Sequence, residues 1–200
     1  DTESGRSNSD NVVFAVLRQL RRPPIFIVTI ILIMSFSVWQ SFTGFYPTYL
    51  IEEKGISPSI ATGIFSLYFA LGIIVQPVAG AAYDRFGMRR TLPLFLGAAG
   101  IALIVLPFVN GIIPVLGLTV MLAGMMSNIA VTMPFLTDEL PREIQGTGLG
   151  VLRTIYMVIG AVSPTIFGSL ANIGLFDEAF WLLAGLVGLI LGCLWVLDEG

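Results

Sequence analysis

The sequence has no histidine, one cysteine and few charges. Without histidine there is no Ser/His or Cys/His catalytic pair and no imidazole-ligated metal. One cysteine forms neither an intramolecular disulfide nor a cysteine-based zinc site. No metal and no cofactor is therefore expected. Charged residues make up 12% of the 200 positions, where soluble domains carry about 25%. Lys and Arg number 10 against 13 Asp and Glu, so the basic stripe of a nucleic-acid binder is missing. Apolar residues fill the space: they are 56% of the chain, with a mean hydropathy of +0.90. That excludes a disordered chain and exceeds what a soluble domain of this length buries. The composition is that of a membrane protein.

The charge-free runs mark the crossings. They cover 23–51, 55–83, 91–137, 154–176 and 179–197. A crossing needs about 20 apolar residues. The run 91–137 would be about 70 Å long as one helix, so it is two crossings, with a turn at Asn110 and Gly111 between Pro107 and Pro114. Six transmembrane helices are expected at 24–50, 58–83, 91–109, 113–137, 145–171 and 178–197. Residues 1–23 form a polar cytoplasmic segment or linker without a signal-peptide pattern. The chain opens on Asp1 and is expected to belong to a longer product. Arg6, Arg18, Arg21, Arg22, Arg85, Arg89, Arg90 and Arg142 lie on one side of these crossings, and Lys54 lies on the other. The positive-inside rule makes the arginine side cytoplasmic, with both termini on it.

Sliding the sequence on itself by 87 residues aligns Pro47 with Pro134, Glu52 with Glu139, Gly63 with Gly150 and Pro77 with Pro164. The polar pair Gln40-Ser41 falls on Ser127-Asn128. Such a unit holds three crossings. Three is odd, so the second copy enters from the opposite face, as in transporters whose substrate path lies at the repeat interface. The expected fold is all-α: a polytopic membrane protein of six helices in two inverted three-helix repeats.

Polar groups inside a bilayer are costly. In the first helix Gln40, Thr43 and Pro47 share one face, bordered by Trp39 and Tyr46. In the fourth, Asn128 lies on the corresponding face with Ser127 beside it. Trp39, Gln40, Thr43, Tyr46, Ser127 and Asn128 are candidates for a solute cavity; the alternative for each is packing between helices. The hydroxyls of Ser37, Thr43 and Thr132 are expected to bond the preceding backbone turn. Pro77 and Pro164 kink the second and fifth helices, with Gln76 and Ser163 beside them to satisfy the freed carbonyl. Arg153 falls about 12 Å into the fifth helix. It either pairs with Asp138, Glu139 or Asp84 in a cytoplasmic charge network that includes Arg142, or it serves an anionic substrate.

Between the second and third helices stand Gly80, Asp84, Arg85, Gly87, Met88, Arg89 and Arg90. Gly80 admits a close helix, Gly87 makes the turn, and Asp84 is suited to accept from the free N–H groups opening the third helix. Here the sequence resembles the major facilitator superfamily. Gly80, Asp84, Arg85, Gly87 and Arg89 fit its signature G-x-x-x-D-R-x-G-R-R, Met88 replaces one arginine, and Arg90 follows. Residues 140–150 resemble the family's opening of the fifth helix of a half, with Gln145 where an Arg often stands. Pro164 and Gly168 match part of that helix's glycine-proline motif.

The resemblance implies twelve helices in two halves, of which this chain, opening on Leu20, Arg21, Arg22 and Pro23, would be the C-terminal one. It implies helices 1 and 4 lining a central cavity, helices 2 and 5 facing the N-terminal half, helices 3 and 6 facing lipid, and the loop latching the cytoplasmic ends. The expected function is transport of a small solute across the cell membrane by alternating access. The alternatives are a half-size transporter that pairs with itself and a non-transporting channel or scaffold. A channel would want a charge ring or carbonyl filter, and an intramembrane enzyme would want mid-span catalytic groups; neither is visible.

Overall fold

The computed structural model describes residues 22–197. It is all-helical among these residues. The helices are α1 (Pro23–Glu52), α2 (Pro58–Phe86), α3 (Met88–Val105), α4 (Ile112–Leu122), α5 (Ser127–Glu139), α6 (Gln145–Gly160), α7 (Ser163–Asn172) and α8 (Phe176–Val196). A 3₁₀ turn, Leu106–Phe108, ends the third crossing, and another, Ala123–Met126, joins α4 to α5. α4 and α5 together make the fourth crossing, and α6 and α7 the fifth. Six stretches are long and apolar enough to span a membrane. Of the polar segment 1–23, residues 1–21 lie outside the described residues.

Two expected features differ. The fourth and fifth crossings are each divided in two. The loop at 84–90 is hardly a loop: Asp84 and Arg85 belong to the last turn of α2, Arg89 and Arg90 to the first turn of α3, and only Gly87 separates the helices. Asp84 therefore does not cap α3, whose first residue follows Gly87 with no side-chain cap bond. Met88, at the position where the signature has arginine, is buried in the core.

The contacts exchange partners between the two three-span units. The second span of each unit packs on the first span of the other, as α2 on α5 and α6 on α1. The third span of each packs on the first span of the other, as α8 on α1 and α3 on α4 and α5. α3 and α8 pack together, with Gly100 against Val187. These two residues are 87 apart, so each touches its own repeat equivalent. Gly87 and Gly174 are also 87 apart, and both turn the chain with φ of 75° and 82°, a region open to glycine at little cost.

Lipid tails are as apolar as leucine, so close packing rather than water exclusion holds the spans together. An aromatic cluster does much of this. Phe42 stacks on Tyr46 at 4.5 Å, and Phe180 meets Tyr49 at 4.4 Å and Phe167 at 5.4 Å. Such pairs contribute about 0.5–1.5 kcal/mol each beyond burial. At the same end Tyr49 donates to Asp177 Oδ1 at 2.7 Å and Lys54 Nζ to the Pro107 carbonyl at 2.7 Å. Burial pushes the Lys54 ammonium below its ordinary pKa, against the pull of Asp177 and Glu53.

Candidate functional site: a cavity among four helices

A cavity of about 580 Å³ lies among α1, α2, α5 and α6, with Met125 and Met126 of the 3₁₀ turn in its wall. Its walls follow from local rules. Phe36 lies against Gly160, where a β-carbon would collide with the ring, so α1 and α6 approach closely there. Gly72 likewise lies under the Met126 side chain, bringing α2 against the fourth crossing. Phe36 meets Tyr156 edge-on at 5.3 Å and lies 5.8 Å from Trp39, giving one aromatic side.

The polar groups come from four helices: Ser35 and Gln40 from α1, Gln76 from α2, Asn128 from α5, and Arg153 and Tyr156 from α6. Arg153 is the sole charged residue of the lining among the described residues. The Ser35 Oγ and Asn128 Oδ1 atoms are buried without a hydrogen-bond partner among the described residues. A native structure leaves few buried polar atoms in that condition.

Of the six cavity candidates, Trp39, Gln40 and Asn128 line the cavity; Thr43, Tyr46 and Ser127 are not among its lining residues. Thr43 donates to the Trp39 carbonyl at 2.8 Å, one turn back. Tyr46 is buried 2.7 Å from the Thr119 hydroxyl. Thr119 spends its one proton on the Val115 carbonyl, so Tyr46 is the donor. Ser127 is fully buried beside Asn128. Ser37 and Thr132 also bond the turn before them, at 2.8 and 2.7 Å.

Gln76 reaches the cavity although the sequence pattern pointed to a proline support, and Arg153, for which a charge network and an anionic substrate were both open, lines it as well. Arg153 is exposed and makes no ion pair with Asp138 or Glu139 among the described residues. Ser35, Phe69 and Ile73 were not singled out at all. For these three, period and spacing do not separate a side chain facing a cavity from one facing lipid. The weak signal was Arg153 itself, a charge about two turns inside an apolar span.

Pro77 and Pro164 behave differently. α2 runs unbroken through Pro77, whereas α7 starts at Ser163 with Pro164 in its first turn. Ser163 Oγ lies 2.7 Å from the Gly160 carbonyl, the one that Pro164 frees, and 2.9 Å from the Ser37 carbonyl. Ser41 donates to Ser163 Oγ at 3.1 Å. At the cytoplasmic end expected from the arginines, Asp84, Arg85, Gly87, Arg89, Arg90, Asp138 and Arg142 are exposed, while Gly80 and Glu139 are half-buried. Gln145 donates to the Thr137 carbonyl, tying the start of α6 to the last turns of α5.

The major facilitator superfamily family model matches residues 25–200. The chain is similar to a probable sulfoacetate transporter, SauU, of Cupriavidus necator: 26% identical over 166 residues, 76% of this chain and 37% of that protein. It is similar to the alpha-ketoglutarate permease of Escherichia coli, 25% identical over 149 residues, 72% of this chain and 34% of that protein. It is also similar to YwfA of Bacillus subtilis, an uncharacterized MFS-type transporter, at 26% over 113 residues, 56% of this chain and 26% of that protein. The chain thus spans about a third of the length of the first two relatives. Six membrane-length helices, a signature turn around Gly87 and the family match over nearly all described residues lead to one conclusion: this chain belongs to the major facilitator superfamily.

Proposed function

We propose that the chain is one six-helix half of a secondary transporter, the C-terminal one, which carries a small organic solute across the cell membrane by alternating access. It is a carrier rather than an enzyme, with both termini cytoplasmic and its two three-helix units inverted relative to each other. One observation carries this reading: the cavity is walled in part by the least covered spans. Only 22% of the apolar stretch of the second and of the fifth span is buried within the chain, against 50% for the first and fourth. The uncovered faces of α2 and α6 carry Phe69, Ile73 and Met157 beside the cavity, an apolar surface that a second six-helix half would cover. The relatives support the solute class in outline, since the probable sulfoacetate transporter and the alpha-ketoglutarate permease are both named for small organic molecules.

The signature residues fit a latch. Asp84 stands in the last turn of α2, at the negative end of the helix dipole, which disfavours a carboxylate. Its favourable partner is then a helix N-terminus or cation of the other half, met when the cytoplasmic side is closed. Asp138 and Glu139, at the end of α5, lie within electrostatic range of Tyr83, beside Asp84, so the arginines of the turn have carboxylates nearby. Asp84→Asn should shift the full-length carrier toward the inward-open state by about 1–3 kcal/mol, the usual span of conformational coupling. Cysteine accessibility on both faces reads this. An unchanged pattern rejects the latch, and labelling from one face alone under all solute conditions rejects alternating access. A chain that pairs with itself would use the same uncovered faces, and the mass of the native product separates the two.

A further inference from the structure

We propose that the cavity binds a small organic oxyanion, a carboxylate or sulfonate, that also bears a hydrogen-bond donor such as a hydroxyl. This rests on the carrier reading above and adds the chemistry of the bound solute.

The charge comes first. Arg153 is the sole charged residue of the cavity lining among the described residues, is exposed, and has no ion pair among them. It lies about 12 Å along α6 from Gln145 at 1.5 Å per residue. A guanidinium at that depth does not face lipid; it faces water, an acid or a ligand. Its flat fork of N–H donors matches the two oxygens of a carboxylate or sulfonate. Gln76 lies at similar depth, about 15 Å before the end of α2 at Phe86, and adds an amide to the same cavity.

The second part comes from atoms left unpaired. Asn128 is 6% exposed and Ser35 is 5% exposed. Both line the cavity, and Asn128 Oδ1 and Ser35 Oγ have no partner among the described residues. A buried amide oxygen lacks a donor, which a simple alkyl anion does not supply and a hydroxylated one does. Trp39, Phe36, Ile73 and Met126 are the surfaces for the short carbon chain between the two ends. A cation is repelled by Arg153, and a neutral solute leaves it without a counter-charge.

The test uses the full-length protein in lipid nanodiscs and reads the concentration of probe giving half-maximal thermal stabilisation. The probes are 3-hydroxypropionate and propionate, 2-hydroxyethanesulfonate and ethanesulfonate, and neutral 1,3-propanediol. The hydroxylated anions should act at the lowest concentrations; the better of the two pairs distinguishes carboxylate from sulfonate. Arg153→Gln should raise those concentrations about tenfold or more, the size of a lost charge-assisted pair, and leave propanediol unaffected. Asn128→Ala should weaken the hydroxylated anions and spare propionate and ethanesulfonate. The proposal is overturned if no anion stabilises, if propanediol does as well as the anions, or if Arg153→Gln changes nothing. That last outcome means the arginine pairs with an acid of the other half. Should Arg153→Gln fail to fold, Arg153→Lys decides. It keeps the charge and loses the fork, so weakened anion binding supports the site and unchanged binding overturns it. Anion binding without uptake into proteoliposomes leaves the site standing and removes the carrier reading. Uptake of a neutral solute, indifferent to Arg153→Gln, does the reverse.

Discussion

The two three-helix units carry similar marks and use them differently. In the first, α1 and α2 are unbroken over 30 and 29 residues, although α2 contains Pro77. In the second, the equivalent spans are each interrupted, at Ala123–Met126 and between Gly160 and Ser163. Gln76 and Ser163 stand before equivalent prolines. Ser163 is spent on backbone, holding the Gly160 and Ser37 carbonyls, whereas Gln76 is exposed at the cavity. Matched positions are thus divided anew in each unit between holding the bundle and lining the cavity. The broken copy places a packing glycine at its break: a β-carbon on Gly124 would run into the Phe95 carbonyl of α3.

The largest effect should follow from filling that break. Gly124→Ala forces apart two backbones and should cost about 1–3 kcal/mol, as overpacking does. Gly72→Ala meets only the flexible end of Met126, so it should cost less than about 1 kcal/mol while disturbing the cavity wall. Thermal unfolding of the purified protein compares the two; equal losses would remove the distinction between a rigid and a yielding contact. Next comes Ser163→Ala, which strips the support from the bend and should cost about 1 kcal/mol in the same assay. The smallest change in stability should come from Gln76→Ala, within about 0.5 kcal/mol, yet with uptake reduced. If Gln76→Ala destabilises as much as Ser163→Ala, both residues are structural and the units divide nothing.

Much of the fold could be read from charge alone. The gaps between Arg22, Glu52, Lys54, Asp84, Arg90 and Asp138 mark the crossings because a bilayer core tolerates few charges. The break at Ala123–Met126 could not be read, since it contains no proline and is set by how Gly124 fits against α3. The helix boundary at Gly87 was visible, but not that Asp84 would end α2 rather than open α3. At the site, Gln40 and Asn128 were marked by helical period and repeat, and both line the cavity. Tyr46 borders the same face as Gln40 yet is turned to Thr119, because that face is wider than the opening it lines. Arg153 and Gln76 needed the third dimension: their neighbours in the cavity come from spans far away in sequence.

The bonds at the end opposite the signature turn bear on how such a chain is made. Lys54 finds the Pro107 carbonyl 53 residues downstream, and Tyr49 finds Asp177 128 residues downstream. Chains emerge from the ribosome amino end first. Tyr49 is therefore delivered to its place long before its acceptor exists, and it acquires that acceptor only as the sixth span is threaded. Closure of that end therefore joins the first span to the sixth and depends on every described span between them being in place.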